Sequence, residues 1–174
     1  MVACDEDNYD GLLEAKLQTF NDLMGFTGFD KSKVDIYESP RSHFRMRANF
    51  SIWRDNRYDN SAEGMYYVMF DMSNVNPETN RALKKPCEIE NFPRGAVLIN
   101  KLMVKLMEIC RDEGKEHEEE SKILREDLFE VRFVTTQANQ AVGILIYRKP
   151  LSDAWMAAAE KAVVLFQEHV GNEA

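Results

Sequence analysis

The residues best equipped for chemistry lie in one stretch, Ser42 to Trp53, where Arg45, Arg47, Asn49, Ser51 and Trp53 recur at every second position. In a strand they share one side, with Phe44, Met46, Ala48, Phe50 and Ile52 on the other. Two guanidinium groups, an amide, a hydroxyl and an indole on one surface are the groups that phosphate binding and base stacking use in RNA recognition. Any antiparallel sheet with one wet face shows the same alternation, and pattern alone favours that ordinary reading. Between Arg41 and Tyr58 five arginines (Arg41, Arg45, Arg47, Arg54, Arg57) stand against one acid, Asp55, in a chain of net charge −8. That total argues against indiscriminate nucleic-acid binding, which rests on neutralised phosphates, whereas a local basic patch still steers a polyanion.

No autonomous active site can be assembled from the rest. The sequence has no Gly-rich loop after a strand, no His-Glu-x-x-His, no serine nucleophile elbow and no Cys-x-x-Cys. Cys4, Cys87 and Cys110 are odd in number and widely spaced, which indicates neither a disulfide framework nor a zinc site. Cys110 falls on an apolar helix face and reads as a small core residue. His43 and His169 have no companion at ligand spacing, and His117 sits in a charge run for which a solvated loop or frayed helix end is the better reading than a metal site.

These residues need elements to hold them. The chain of 174 residues, 44% hydrophobic and 30% charged, suits a single α+β domain over 1–174 with an acidic loop at 112–121. No apolar run approaches a membrane span, and the acidic N-terminus lacks the features of a signal peptide, so a cytoplasmic protein is expected. Tyr9, Leu13, Leu17, Phe20 and Met24 set an amphipathic helix over 7–24, capped by Asp7 or Asn8, with Phe26 and Phe29 pinning the following turn onto the core. The arginine strand follows, then a polar hairpin loop and a second strand over 65–71, paired antiparallel with it. An edge strand is expected at 87–90. A packing helix over 96–111 places Leu98, Leu102, Leu106 and Ile109 inward. Strands over 128–135 and 140–148 form a second pair. The latter is apolar on both faces, which predicts a central strand covered on each side. Ser152 caps a last helix over 153–169. The order is α-ββ-α-ββ-α, an antiparallel sheet of two strand pairs with helices packed on it.

Several blocks carry a resemblance: Ser39-Pro40-Arg41-Ser42-His43-Phe44-Arg45-Met46-Arg47-Ala48-Asn49-Phe50-Ser51-Ile52-Trp53, Phe70-Asp71, Asn91-Phe92-Pro93, Leu98-Ile99-Asn100-Lys101-Leu102-Met103, Leu128-Phe129, Thr135-Thr136-Gln137-Ala138-Asn139-Gln140-Ala141-Val142 and Leu151-Ser152-Asp153-Ala154-Trp155. In this order they resemble the N-terminal domain of the tRNA (uracil-5-)-methyltransferase family, from about Tyr9 to about Gln167. The resemblance implies a domain that holds the T-arm of tRNA, while a methyltransferase domain, in cis or in trans, uses S-adenosylmethionine to methylate C5 of a T-loop uridine. In that chemistry a thiolate adds to C6, C5 takes the methyl, and a base removes the C5 proton. Nucleophile, base and cofactor site are all missing from these 174 residues, so the chain alone is expected to be inactive and to hold no cofactor.

Residue by residue, the resemblance implies RNA contact. Phe129 matches an aromatic position that stacks with displaced T-loop bases, and Arg148 matches a polar or basic position on the RNA side. Read from the alternation alone, Phe129 is equally well a core aromatic in phase with Val131 and Phe133. Ser51 replaces a basic residue of the relatives and weakens one contact, for which Arg45, Arg47 and Arg54 partly substitute. The expected RNA-binding set is Arg41, Arg45, Arg47, Asn49, Ser51, Trp53, Arg54, Phe129 and Arg148. Two other readings stay open: a stand-alone RNA-binding module, and an acidic protein-interaction domain whose arginines only solvate a sheet face.

Overall fold

Ala48, Phe50 and Ile52 need a dry face while Arg47, Asn49 and Trp53 need water, and β1 (Arg47–Arg54) separates them as a strand must: the first three are buried and the second three exposed. In a computed structural model describing residues 8–28, 30, 33–54, 64–111 and 117–171, β1 lies at the centre of a five-stranded sheet. The chain order is α1 (Tyr9–Gly25), β1, β2 (Met65–Asp71), β3 (Lys85–Glu88), α2 (Val97–Cys110), α3 (Glu118–Arg125), β4 (Leu128–Thr135), β5 (Ala141–Tyr147) and α4 (Asp153–Gly171). The strands run β3-β2-β1-β4-β5 across the sheet, every neighbouring pair antiparallel. The expected α+β architecture and its two strand pairs are present, with β3 as the expected edge strand.

α2 covers the middle of the sheet. It buries Leu98, Ile99, Leu102, Met103 and Leu106, and Tyr67 donates from its hydroxyl to the Met103 carbonyl at 3.0 Å. Phe50 is the hub, its ring centroid 5.2 Å from Tyr67, 5.5 Å from Phe92 at a right angle, and 6.4 Å from Phe133. Burying one such side chain contributes about 1.5–3 kcal/mol. The start of α2 is held by Asn100, whose Oδ1 accepts from the Phe92 N–H at 2.7 Å and whose Nδ2 donates to the Phe92 and Gly95 carbonyls at 3.0 and 3.2 Å. Gly95 is required beneath it, because a Cβ there would stand 2.6 Å from the Phe92 ring. α3 and α4 join the end of α2 in a smaller cluster of Ile109, Leu124, Ala158 and Ala162. Ser152 caps α4 as expected, its Oγ accepting from the Trp155 N–H at 3.2 Å.

Four readings need correction. β5 is not central but an edge strand, with Val142 57% and Ile144 42% exposed. Its hairpin with β4 fixes its place beside β4, whose other side already belongs to β1. α1 forms but buries no residue, since the later helices cover the core face and it is attached at its foot, through Tyr9 Oη to the Ser39 carbonyl at 2.9 Å. Phe26 pins nothing; it is 86% exposed, while Phe29 lies outside the described residues. Asn8 makes no side-chain cap, and Asp7 is outside the described residues. Of the acidic stretch, 112–116 lie outside the described residues, and Glu118–Glu120 open α3, where three carboxylates suit the positive end of the helix. Its stripe of Ser121, Leu124 and Arg125 is too short to read as periodic, and it holds because buried Arg125 donates to the Cys110 carbonyl at 3.2 Å.

Candidate nucleic-acid interface

At the Trp53 end of the sheet, residues distant in sequence close around a recess of about 350 Å³, lined by Ile52, Trp53, Arg54, Asp127, Leu128, Phe129 and Arg148. The decisive local feature is a β-bulge. Leu128 pairs with Tyr147 and Glu130 with Ile146, so Phe129 is the extra residue, opposed by none. Leu128 takes the buried position that strict alternation would have given Phe129, and Phe129 is turned half out of the core. The Arg148 guanidinium then lies 5.6 Å from the centroid of the Phe129 ring. Such a pair offers a flat, positively charged surface of the kind on which a base stacks.

The walls are pinned by bonds among the lining residues and to the elements behind them. Arg54 donates from Nη2 to the carbonyl of Arg125 at the end of α3. Tyr147 donates from its hydroxyl to the Leu124 carbonyl at 2.6 Å, and the Arg148 N–H bonds the Asp127 carbonyl at 3.1 Å. Lys149 bridges Glu126 at 2.6 Å and Asp127 at 3.5 Å. Its ammonium holds the Glu126 carboxyl below the usual range, and the bridge raises Lys149 in turn. Asp127, the one acid among the described lining residues, is thus partly matched before any ligand arrives.

From the recess the outer face of β1 runs back through Ser51 and Asn49 to Arg47, roughly 20 Å at about 3.3 Å per residue. The register sets Arg132 beside Asn49 and Glu130 beside Ser51, and these two pair with each other at 2.6 Å. Trp53 meets Phe70 of β2 at 6.1 Å between centroids and faces Tyr66 in register. Phe70, Tyr66 and Arg132 were absent from the expected set; their own period of two is visible in the sequence, but the register that brings them to β1 is not. Arg45 is exposed beyond the start of β1, its backbone bridged to the loop before α2 at Arg94 and Ala96. Arg41 joins neither group: it engages α1, donating to Asp10 at 2.9 and 3.0 Å and lying 5.4 Å from the Tyr9 centroid. Arg57 is outside the described residues.

Cys110 is fully buried, and burial pushes its thiol up to about 12, so it is protonated at neutral pH and is no nucleophile. Among the described residues no cluster of three or more His, Cys, Asp or Glu could hold a metal, and no helix is long and apolar enough to cross a membrane. Among them, too, Gly11 and Gly25 lie in α1, Gly28 follows it, Gly64 precedes β2, Gly95 is packed against Phe92, Gly143 lies inside β5 and Gly171 ends α4. None of these forms a glycine-rich strand-to-helix turn of the kind that holds a nucleotide-like cofactor.

A profile of the family described as tRNA (Uracil-5-)-methyltransferase matches residues 8–170. Among curated proteins, the tRNA/tmRNA (uracil-C(5))-methyltransferase of Psychromonas ingrahamii is 32% identical over 157 residues, covering 90% of this chain and 36% of the relative. Proteins of the same name from Idiomarina loihiensis and Cellvibrio japonicus are each 35% identical, covering 75% and 87% of this chain but 29% and 34% of their own lengths. The chain therefore spans about a third of the relatives it matches. With a match over nearly its whole length, it belongs to the tRNA (uracil-5-)-methyltransferase family.

Proposed function

We propose that this chain is the tRNA-binding N-terminal portion of a tRNA (uracil-5-)-methyltransferase, acting in the cytoplasm, whose full-length form methylates C5 of a T-loop uridine. The recess holds a displaced T-loop base on Phe129 and Arg148, and the strip from Trp53 to Arg47 follows the sugar-phosphate backbone of the T-arm. The observation that supports this reading most is the bulge at Phe129, which spends a buried aromatic position on an outward ring beside two guanidinium groups. S-adenosylmethionine supplies the methyl group in the full-length enzyme; the residues here bind and orient RNA.

Titration of a labelled T-arm hairpin tests it. Binding is expected at low salt, weakening as salt rises with a slope of about −0.9 per phosphate neutralised. The chain with S-adenosylmethionine and tRNA is expected to transfer no methyl group. Absence of binding at low salt, or an affinity unchanged by charge reversal at Arg47 and Arg148 together, would sink the proposal in favour of a protein-interaction role.

A further inference from the structure

β5 is apolar throughout, Ala141-Val142-Gly143-Ile144-Leu145-Ile146-Tyr147, yet none of its residues is buried. Among the described residues no strand pairs with its outer edge. Natural sheets protect such an edge with Lys, Pro or an inward-pointing charge, and β5 carries none of these. Beneath the edge, on the core face, an apolar groove of about 550 Å³ separates β5 from α4, walled by Ala141, Gly143 and Leu145 on one side and Trp155, Ala159 and Val163 on the other. Small side chains on both walls leave the space open. β5 followed by α4 over one sheet face also forms the first two parts of a β-α-β unit, whose third part is a parallel strand beside the first.

We infer that the free edge of β5 and the groove beneath it receive one extended strand of alternating apolar residues, contributed by the portion of the methyltransferase relatives that this chain does not match. This rests on the reading of the chain as one portion of such an enzyme. The relatives have that length to supply, since the match covers only 36% of the Psychromonas ingrahamii protein. A second copy is the poorer occupant: β5 paired with β5 would bring Ala141 and Gly143 again, and the groove would stay unfilled. Tyr147 and Arg148 continue directly from β5, so the added strand also steadies one wall of the RNA recess.

The test is amide hydrogen exchange on the whole chain with a synthetic peptide spanning the segment of the Psychromonas ingrahamii relative that directly follows its matched region. Exchange over 141–147 is expected to slow on the order of ten-fold with this peptide and to stay unchanged with a scrambled one. Val163→Asp, on the exposed rim of α4, should weaken peptide binding about ten-fold while leaving the T-arm titration as in the wild type. Unchanged exchange at saturating peptide overturns the inference. So does protection that appears without peptide and grows with protein concentration, the mark of a second copy. RNA binding without peptide protection sinks the docking alone, whereas peptide protection without RNA binding upholds it and sinks the RNA reading.

Discussion

The centre of the sheet alternates apolar with polar residues and its β5 margin is apolar throughout, yet it is the centre that is covered. At the centre, Phe50 is 1% exposed beneath three other rings and α2. At the margin, Val142 and Ile144 face outward and a groove separates Leu145 from α4. Apolar content does not decide which is covered; the number of layers laid over each does. Apolar residues on both faces mark a strand that is to be covered, without naming what covers it.

The comparison can be broken at several depths. Phe50→Ala should cost about 3–5 kcal/mol, because it opens a cavity between Tyr67, Phe92 and Phe133 that the surrounding helices cannot close; urea denaturation with an unchanged slope measures it. A loss under 1 kcal/mol would mean the centre is no better filled than the margin. Alkali attacks the buried thiol and phenols. Burial raises Cys110 from its ordinary 9.0 to about 12 and also raises Tyr67 and Tyr147. For acids held protonated by folding, stability is fully present below the ordinary value and is lost as pH climbs through the raised one. Thermal melts should therefore be flat near neutrality and fall from pH 9.0 toward 12, with Cys110→Ala reducing that slope. Phe129→Ala should weaken T-arm binding by about 1–3 kcal/mol while melting close to wild type; loss of stability comparable to Phe50→Ala would put the ring back in the core. The smallest effect is expected of Val142→Thr, within about 0.5 kcal/mol in this chain alone. A larger loss would show that the margin is already covered.

Much of this was legible residue by residue. The alternation of Phe44 to Ile52 against Arg45 to Trp53 announces β1 and both of its faces, because a single strand carries its own period. The spacing of Leu98, Leu102, Leu106 and Ile109 announces α2, and the structure adds what holds its start, the Asn100 hydrogen bonds and the Gly95 contact with Phe92. What stayed hidden depends on pairing. The edge position of β5 follows from which side of β4 was already taken, and the company of Trp53 with Phe70 and Tyr66 follows from register. The side of Phe129 hinged on one extra residue, which alternation cannot reveal. α3 was missed because eight residues give barely two turns of stripe, and α1 misled because an amphipathic pattern promises a partner without saying whether the chain itself provides one.

The bulge at Phe129 has a consequence for how this protein can vary. Because Leu128 and Val131 carry the core through that stretch, the side chain at 129 can change in size and character without the core having to repack. One inserted residue thus uncouples the proposed recognition surface from what keeps the domain folded, so that the first can drift under selection while the second stands still.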